Sequence, residues 1–230
     1  MLRNIFYRYV DRETLPSFPK PDFEKIDFRV CKSNVLEDGK SLGNSDGRIY
    51  VIEKKNGLYR ELFGPLIDYI ESLGDMTVMY IQYLITEPNS KMMIHNDRDM
   101  IYQNNSWIDA DACSLNYSYG TLDSYLEFFK LKSAHYENIE RFKYVHNQED
   151  FDKPYLFEGI REKDTNLVAE AKYDTKYATL VNCAVYHRAV NYSNVPRYVI
   201  HFRLVRKSDP YIDIKFREAK KIFKSHIVNI

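Results

Sequence analysis

Residues Ala178 to Leu204 read ATLVNCAVYHRAVNYSNVPRYVIHFRL. Two apolar runs rich in β-branched and aromatic residues flank a polar turn, the pattern of paired strands. The first, Ala178–Tyr186, ends at His187; the second, Tyr198–Val205, alternates and begins just after Arg197. Asn191, Ser193, Asn194 and Pro196 between them are turn formers. A reversal near Tyr192 makes a hairpin in which His187 and Arg197 stand roughly opposite each other, because cross-strand partners share a constant index sum. The expectation is a histidine facing a permanently charged guanidinium at one end of a sheet.

A second stretch gives that pairing a chemical reason. Met92-Met93-Ile94-His95-Asn96-Asp97 closes an expected strand, Lys91–Asp97. Residues two apart on a strand share a face, so His95 and Asp97 project together and Asn96 points away. With His187 they make a 2-His-1-carboxylate set, which holds a metal from one side and leaves positions open. Arg197 adds a planar fork suited to a carboxylate. The competing reading makes His95 a core residue and Asp97 the start of a turn. Six histidines and 33 acidic residues in 230 give about one such His-x-acid by chance, so the weight lies in the downstream His and Arg.

This order, HxD, a long gap, then His with Arg ten residues later, resembles the Fe(II)/2-oxoglutarate-dependent dioxygenase superfamily. The text Val-Tyr-His-Arg-Ala-Val-Asn followed by Pro-Arg-Tyr-Val-Ile-His-Phe-Arg is most similar to its aspartyl/asparaginyl β-hydroxylase-like and phage-type members. The resemblance covers about Thr77 to Leu204 and is concentrated at its two ends. It implies a mainly β fold with flanking helices around a double-stranded β-helix, the cupin-like jelly roll. It also implies Fe(II) on His95, Asp97 and His187, with 2-oxoglutarate and O2 as co-substrates. Arg197 would anchor the far carboxylate, and a primary substrate would be hydroxylated with release of succinate and CO2. Relatives act on protein side chains, free amino acids, lipids and nucleobases, so the primary substrate, a small molecule or a protein side chain, stays open. Asn116 is a candidate contact to the co-substrate, or else an outward-facing polar residue. Arg203 shares a strand face with Arg197 and is a second carboxylate anchor, a substrate contact or a solvated strand end. His201 shares that face and is a rival metal ligand, ranked below His187 because no acid lies two residues away. Val199 stands where many relatives carry Ser or Thr. The alternative is a cupin-type metal protein, an isomerase or ligand-binding module, in which Arg197 only stabilises the barrel.

Composition sets the bounds. The chain is 44% hydrophobic and 29% charged, with no net charge, which gives no general attraction to nucleic acid or to anionic membranes. Three cysteines, Cys31, Cys113 and Cys183, do not make a disulfide framework. No apolar run reaches membrane-spanning length, no leader-like apolar segment opens the chain, and a reducing cytoplasm is the expected compartment.

The whole chain is expected as one domain: an arm and helical extension over 1–75, a jelly-roll core over 76–206 and a C-terminal helix over 207–230. Met1–Asp27, with Pro16, Pro19 and Pro21, reads as an extended arm. Phe28–Val35 and Ile49–Glu53 read as short strands around a loop, Leu36–Arg48. Leu58–Leu73 has a helical apolar period, with Gly64-Pro65 kinking or splitting it and Gly74 as its stop. Thr77–Thr86, Asp111–Gly120 and Ser124–Lys132 read as strands. On the middle one Cys113, Leu115 and Tyr117 share one face and Ser114, Asn116 and Ser118 the other. Arg98–Ala110, with Trp107, is an unpatterned loop suited to a lid; His135–Asp152 is charged and irregular; Phe157–Ala171 reads as weakly helical. Asp209-Pro210 is an N-cap signal for a lysine-rich helix, Tyr211–Ile227.

Overall fold

In a computed structural model of the chain, residues 5–34, 36–37, 40–41, 47–97, 100–103, 106–109, 113–132, 155–158, 162–209 and 214–228 are described. Its strands are β1 (Tyr7–Asp11), β2 (Arg29–Asn34), β3 (Leu36–Glu37), β4 (Lys40–Ser41), β5 (Gly47–Glu53), β6 (Thr77–Thr86), β7 (Ser90–Lys91), β8 (Met100–Gln103) and β9 (Ser106–Asp109). They continue as β10 (Cys113–Gly120), β11 (Ser124–Leu131), β12 (Tyr155–Glu158), β13 (Thr165–Lys172), β14 (Tyr177–Asn182), β15 (His187–Asn191), β16 (Arg197–Val205) and β17 (Ile227–Val228). Two helices, α1 (Gly57–Leu73) and α2 (Phe216–Ile222), flank them.

Nine strands form a large sheet in the order β12-β2-β5-β6-β16-β10-β14-β1-β17, and four form a small one, β13-β11-β15-β7. Side chains tie the sheets together at both edges. Tyr7 and Tyr9 of β1 donate to the carbonyls of Glu170 and Lys172 on β13, and the Asn191 amide on β15 donates to the Thr86 carbonyl on β6. The result is the double-sheet, cupin-like jelly roll, with the large sheet continuing past the small one through β5 and β2.

The large sheet separates two interiors because its central strands alternate. Ile81 and Tyr83, Ile200 and Phe202, and Leu115 and Tyr117 pack outward in one cluster with Tyr59, Phe63, Leu66, Ile67 and Ile70 of α1 and Phe216 and Ala219 of α2. The other face of the same strands carries Gln82, Thr86, Arg197, His201, Arg203, Ser114 and Asn116, and it looks toward the small sheet. That polar face is the origin of the site. The helix α1 runs unbroken through Pro65, whose ring is exposed. Asn56 caps it by accepting from the Leu58 N–H (3.0 Å).

Several expectations are corrected. Ala178–Leu204 is not one hairpin: the chain turns at 183–186, so β14 lies in the large sheet, β15 in the small one and β16 back in the large one. Arg197 pairs with Thr86 and Gly120, and His187 with Phe128, so the two never face each other as cross-strand partners. The index-sum rule holds only within a ladder. Within Phe157–Ala171, expected as weakly helical, the chain from Thr165 on is strand β13, because β11 offers it a full edge. The arm contributes β1, buried between β14 and β17, and the last helix is shorter than expected, Phe216–Ile222, before the chain pairs again at Ile227–Val228. Pro210 and His135–Asp152 lie outside the described residues. Of the expected lid, β8 and β9 pair with each other; the rest of it and its side chains, Trp107 included, also lie outside.

Candidate metal centre and its polar interior

His95 reaches the small sheet without a regular ladder. After β7, a single bridge joins it to His187: the His95 N–H donates to the His187 carbonyl (3.0 Å) and the His187 N–H to the His95 carbonyl (2.7 Å). The Asp97 N–H then donates to the Cys183 carbonyl (2.9 Å). This pins the backbone on both sides of His95, so His95 and Asp97 project together toward His187, as alternation requires. The expected strand Lys91–Asp97 is thus only Ser90–Lys91 plus a bridge, yet the facing survives.

The three side chains converge. His95 Nε2 is 3.4 Å from Asp97 Oδ1, and His187 Nε2 is 3.7 Å from Asp97 Oδ2. All three donor atoms lie within 4.8 Å of one another. Two donors at right angles around an ion with bonds of about 2.1 Å lie about 3 Å apart, so a metal would draw each imidazole less than an ångström closer to Asp97. The far ring nitrogens favour the same arrangement. His95 Nδ1 lies 3.0 Å from the Met93 carbonyl and His187 Nδ1 2.8 Å from the Val185 carbonyl. A carbonyl only accepts, so in the neutral ring each Nδ1 carries the proton and each Nε2 presents its lone pair inward, the tautomer a metal-ligating histidine needs. His95, Asp97 and His187 form a 2-His-1-carboxylate metal-binding triad.

Electrostatics fit the same role. Burial pushes the Asp97 carboxyl up, but His187, His95 and Arg203 together outweigh it and hold Asp97 well below the usual carboxylate range. Burial pushes His187 down to about 4, only partly offset by Asp97. His95 is raised: burial lowers it, and the hydrogen bond and charge of Asp97 more than restore it. The site holds one anionic oxygen donor and at least one neutral imidazole across the neutral pH range.

The other expected residues share the interior. Arg203 is buried on the face toward the triad and donates to the Asp97 backbone carbonyl (3.1 Å). Arg197 is buried six residues earlier on the same face of β16. It donates to Thr86 Oγ1 (2.9 Å) and its guanidinium lies 3.8 Å over the Tyr173 ring. No carboxylate pairs with Arg197 among the described residues. Tyr173 lies between the two ends, under Arg197, beside Asn116 and near Cys183. Asn116 points inward, opposite His201 and Thr179, so the outward-facing reading is corrected. His201 faces the triad but stands outside the donor group.

Arg197 Nε, Asn116 Oδ1, Ser118 Oγ and Tyr173 Oη are buried without a hydrogen-bond partner, four of eight such atoms among the described residues. Each unsatisfied polar atom costs about 1–3 kcal/mol, so their grouping beside a metal triad describes a cradle for a polar ligand.

No protein-family model and no curated protein matches the sequence. Among solved structures, HygX from Streptomyces hygroscopicus with nickel and 2-oxoglutarate bound is 12% identical, over 80% of this chain and 75% of that one, with a TM-score of 0.37. EvdMO1 is 11% identical, over 89% of this chain and only 49% of its own, with a TM-score of 0.44. Peruvianin-I, a cysteine peptidase from Thevetia peruviana latex, reaches 0.33. Likeness at this level carries no argument.

Sequence reasoning missed Tyr173, Thr86 and Gln82. Tyr173 falls in what reads as a short polar link, and no local signal marks it among 20 tyrosines. Thr86 and Gln82 were within reach, since alternation along Thr77–Thr86 puts them on one face. Only the pairing with β16 identifies which face that is.

Proposed function

We propose that this protein is a non-heme Fe(II)- and 2-oxoglutarate-dependent oxygenase, which hydroxylates a small molecule or a protein side chain and releases succinate and CO2. The observation that carries this reading is one interior holding both the triad and Arg197, a buried cation with no acidic partner among the described residues. Bound Fe(II) and 2-oxoglutarate would supply O2 activation and the oxidising equivalents.

The chain's own residues have distinct tasks in this reading. His95, Asp97 and His187 hold the ion from one side and leave the opposite positions open. The Met93 and Val185 carbonyls lock both imidazoles in the ligating tautomer. Arg197, steadied by Thr86 and Tyr173, offers its fork to the distant carboxylate of a dicarboxylate. Asn116 and Tyr173 supply uncharged hydrogen bonds along that ligand. Arg203 fixes the main chain at Asp97 and adds positive potential beside it. A reducing cytoplasm, which keeps iron ferrous, suits this chemistry.

Arg197→Ala tests the reading. It is expected to raise the 2-oxoglutarate KM roughly 100-fold, the order of a lost charged hydrogen-bonded partner, while Fe(II) affinity stays within a few-fold. The competing cupin-type reading rests on Arg197 already having Thr86 and Tyr173 as partners. Metal-dependent activity that needs no 2-oxoglutarate and survives Arg197→Ala would favour it.

A further inference from the structure

One buried imidazole has no task in the site so far. His201 is 5% exposed, and no hydrogen-bond partner is found for its ring among the described residues. Its place on the inward face of β16 puts it within electrostatic reach of Asp97, Arg203, His187 and His95. Cross-strand partners carry their side chains side by side on one face. Gln82 on β6 and Asn116 on β10 therefore flank it.

This row also has a direction. Asn116 and His201 are buried, Gln82 is half-buried, and Val51, the next partner outward on β5, is 37% exposed. The row thus runs from the interior beside the metal triad to solvent, on the side where the large sheet continues past the small one. Asn116 and Arg197 line the part of the interior assigned above to the co-substrate. His201 and Gln82 line the approach from outside.

The chemistry of the two side chains narrows the occupant. A neutral imidazole has one N–H donor and one acceptor nitrogen, and a carboxamide has both as well. A carboxylate only accepts, so it could take the N–H of each but would leave the acceptor nitrogen of His201 and the amide oxygen of Gln82 without a donor. A hydroxyl or an amide can answer every one. Protonation of His201 is opposed by burial, which outweighs the pull of Asp97, and by the neighbouring Arg203.

We propose that His201 and Gln82 bind the primary substrate, and that the group they hold beside the triad is uncharged and both donates and accepts: a hydroxyl or a carboxamide. The proposal deepens the oxygenase reading and rests on it for the word substrate.

The test uses the full chain with 15N-labelled histidine, loaded with diamagnetic Zn(II) and 2-oxoglutarate. His201 is assigned by its loss in His201→Gln. Acetamide and ethylene glycol serve as uncharged probes, and acetate as the anionic one. The expected result is a saturable shift of the His201 ring nitrogens with acetamide or glycol and none with acetate, at least threefold weaker in Gln82→Leu. His226, whose ring nitrogens face Tyr69 and Thr14 at 3.1 and 2.8 Å, stays still. A response to acetate alone, no response to any probe, equal movement of His226, or an unchanged titration in Gln82→Leu would each overturn the proposal. If 2-oxoglutarate fails to bind, the oxygenase reading falls, and the same titration of the Zn(II) protein still reads the His201 site.

Discussion

At His95 and His187 the deciding contact is made by the nitrogen facing away from the site. Each Nδ1 sits on the carbonyl two residues earlier in its own chain, so backbone shape alone sets the tautomer. His187→Ala is therefore expected to weaken divalent-metal binding by more than about 100-fold, beyond the range for loss of an outer partner, while His201→Ala leaves it within a few-fold. Competition titration with a chromophoric chelator separates the two, and the reverse order would make His201 the ligand. His201 also predicts an acid sensitivity. Burial, with help from Arg203 and the two other histidines and against the pull of Asp97, brings it to about 4 in the folded chain, against about 6.5 unfolded. The unfolded chain thus takes the proton first; stability is full above the unfolded value and falls as the pH drops toward 4. Between pH 7 and 5 this one group removes about 2 kcal/mol. Urea melts of metal-free wild-type and His201→Gln protein should differ in pH slope by that amount.

At the scale of elements, the small sheet holds His187 through a clamp on its opposite face. Arg188 donates to Glu127 on β11 (2.6 Å) and through two nitrogens to Glu162 (2.9 and 3.0 Å), with Glu127 buried and Glu162 largely exposed. Glu127 also accepts from the Tyr192 hydroxyl (3.2 Å). Arg188→Ala leaves a buried carboxylate behind and is expected to cost roughly 3–5 kcal/mol in urea denaturation. Arg188→Met combined with Glu127→Leu removes both charges and should cost clearly less. Gly120 is a second fixed point, with φ of 90° and a Cβ position only 2.7 Å from the Pro196 carbonyl. Gly120→Ala is expected to destabilise by more than about 1 kcal/mol and to disturb Arg197, its cross-strand partner. These elements also mark how far the sequence could be read. The strands β6, β10, β11 and β16 are legible as runs rich in β-branched and aromatic residues, and the helix α1 by its helical period. The hairpin of 178–204 failed because a chain that changes sheets looks locally like one that reverses. The strand β13 failed because its helical spacing was overridden by an edge supplied by β11.

At the scale of the molecule, function follows from a sheet with two unlike faces. One packs on α1 and α2, and the other carries the polar groups that meet the triad across the jelly roll. The HxD and the downstream His were legible because metal ligation restricts residue type and spacing. Asn116 was a candidate from the sequence, but Tyr173 and Thr86 beside it were not, since that grouping exists only once β6, β10 and the segment after β13 are brought together. No helix of the described residues is long and apolar enough to cross a membrane. A metal bound only by the folded chain must also stabilise it, by about 2.7 kcal/mol at a free concentration 100 times its Kd. Thermal melts with and without Zn(II) should show an upward shift in wild type that is absent in Asp97→Ala. The most direct measurement is an anaerobic Fe(II) titration followed in the visible, with and without 2-oxoglutarate. The account predicts a weak charge-transfer band that needs both components and is lost in Asp97→Ala and in Arg197→Ala. Iron bound without such a band would contradict the oxygenase reading, and no iron bound at all would contradict the metal centre.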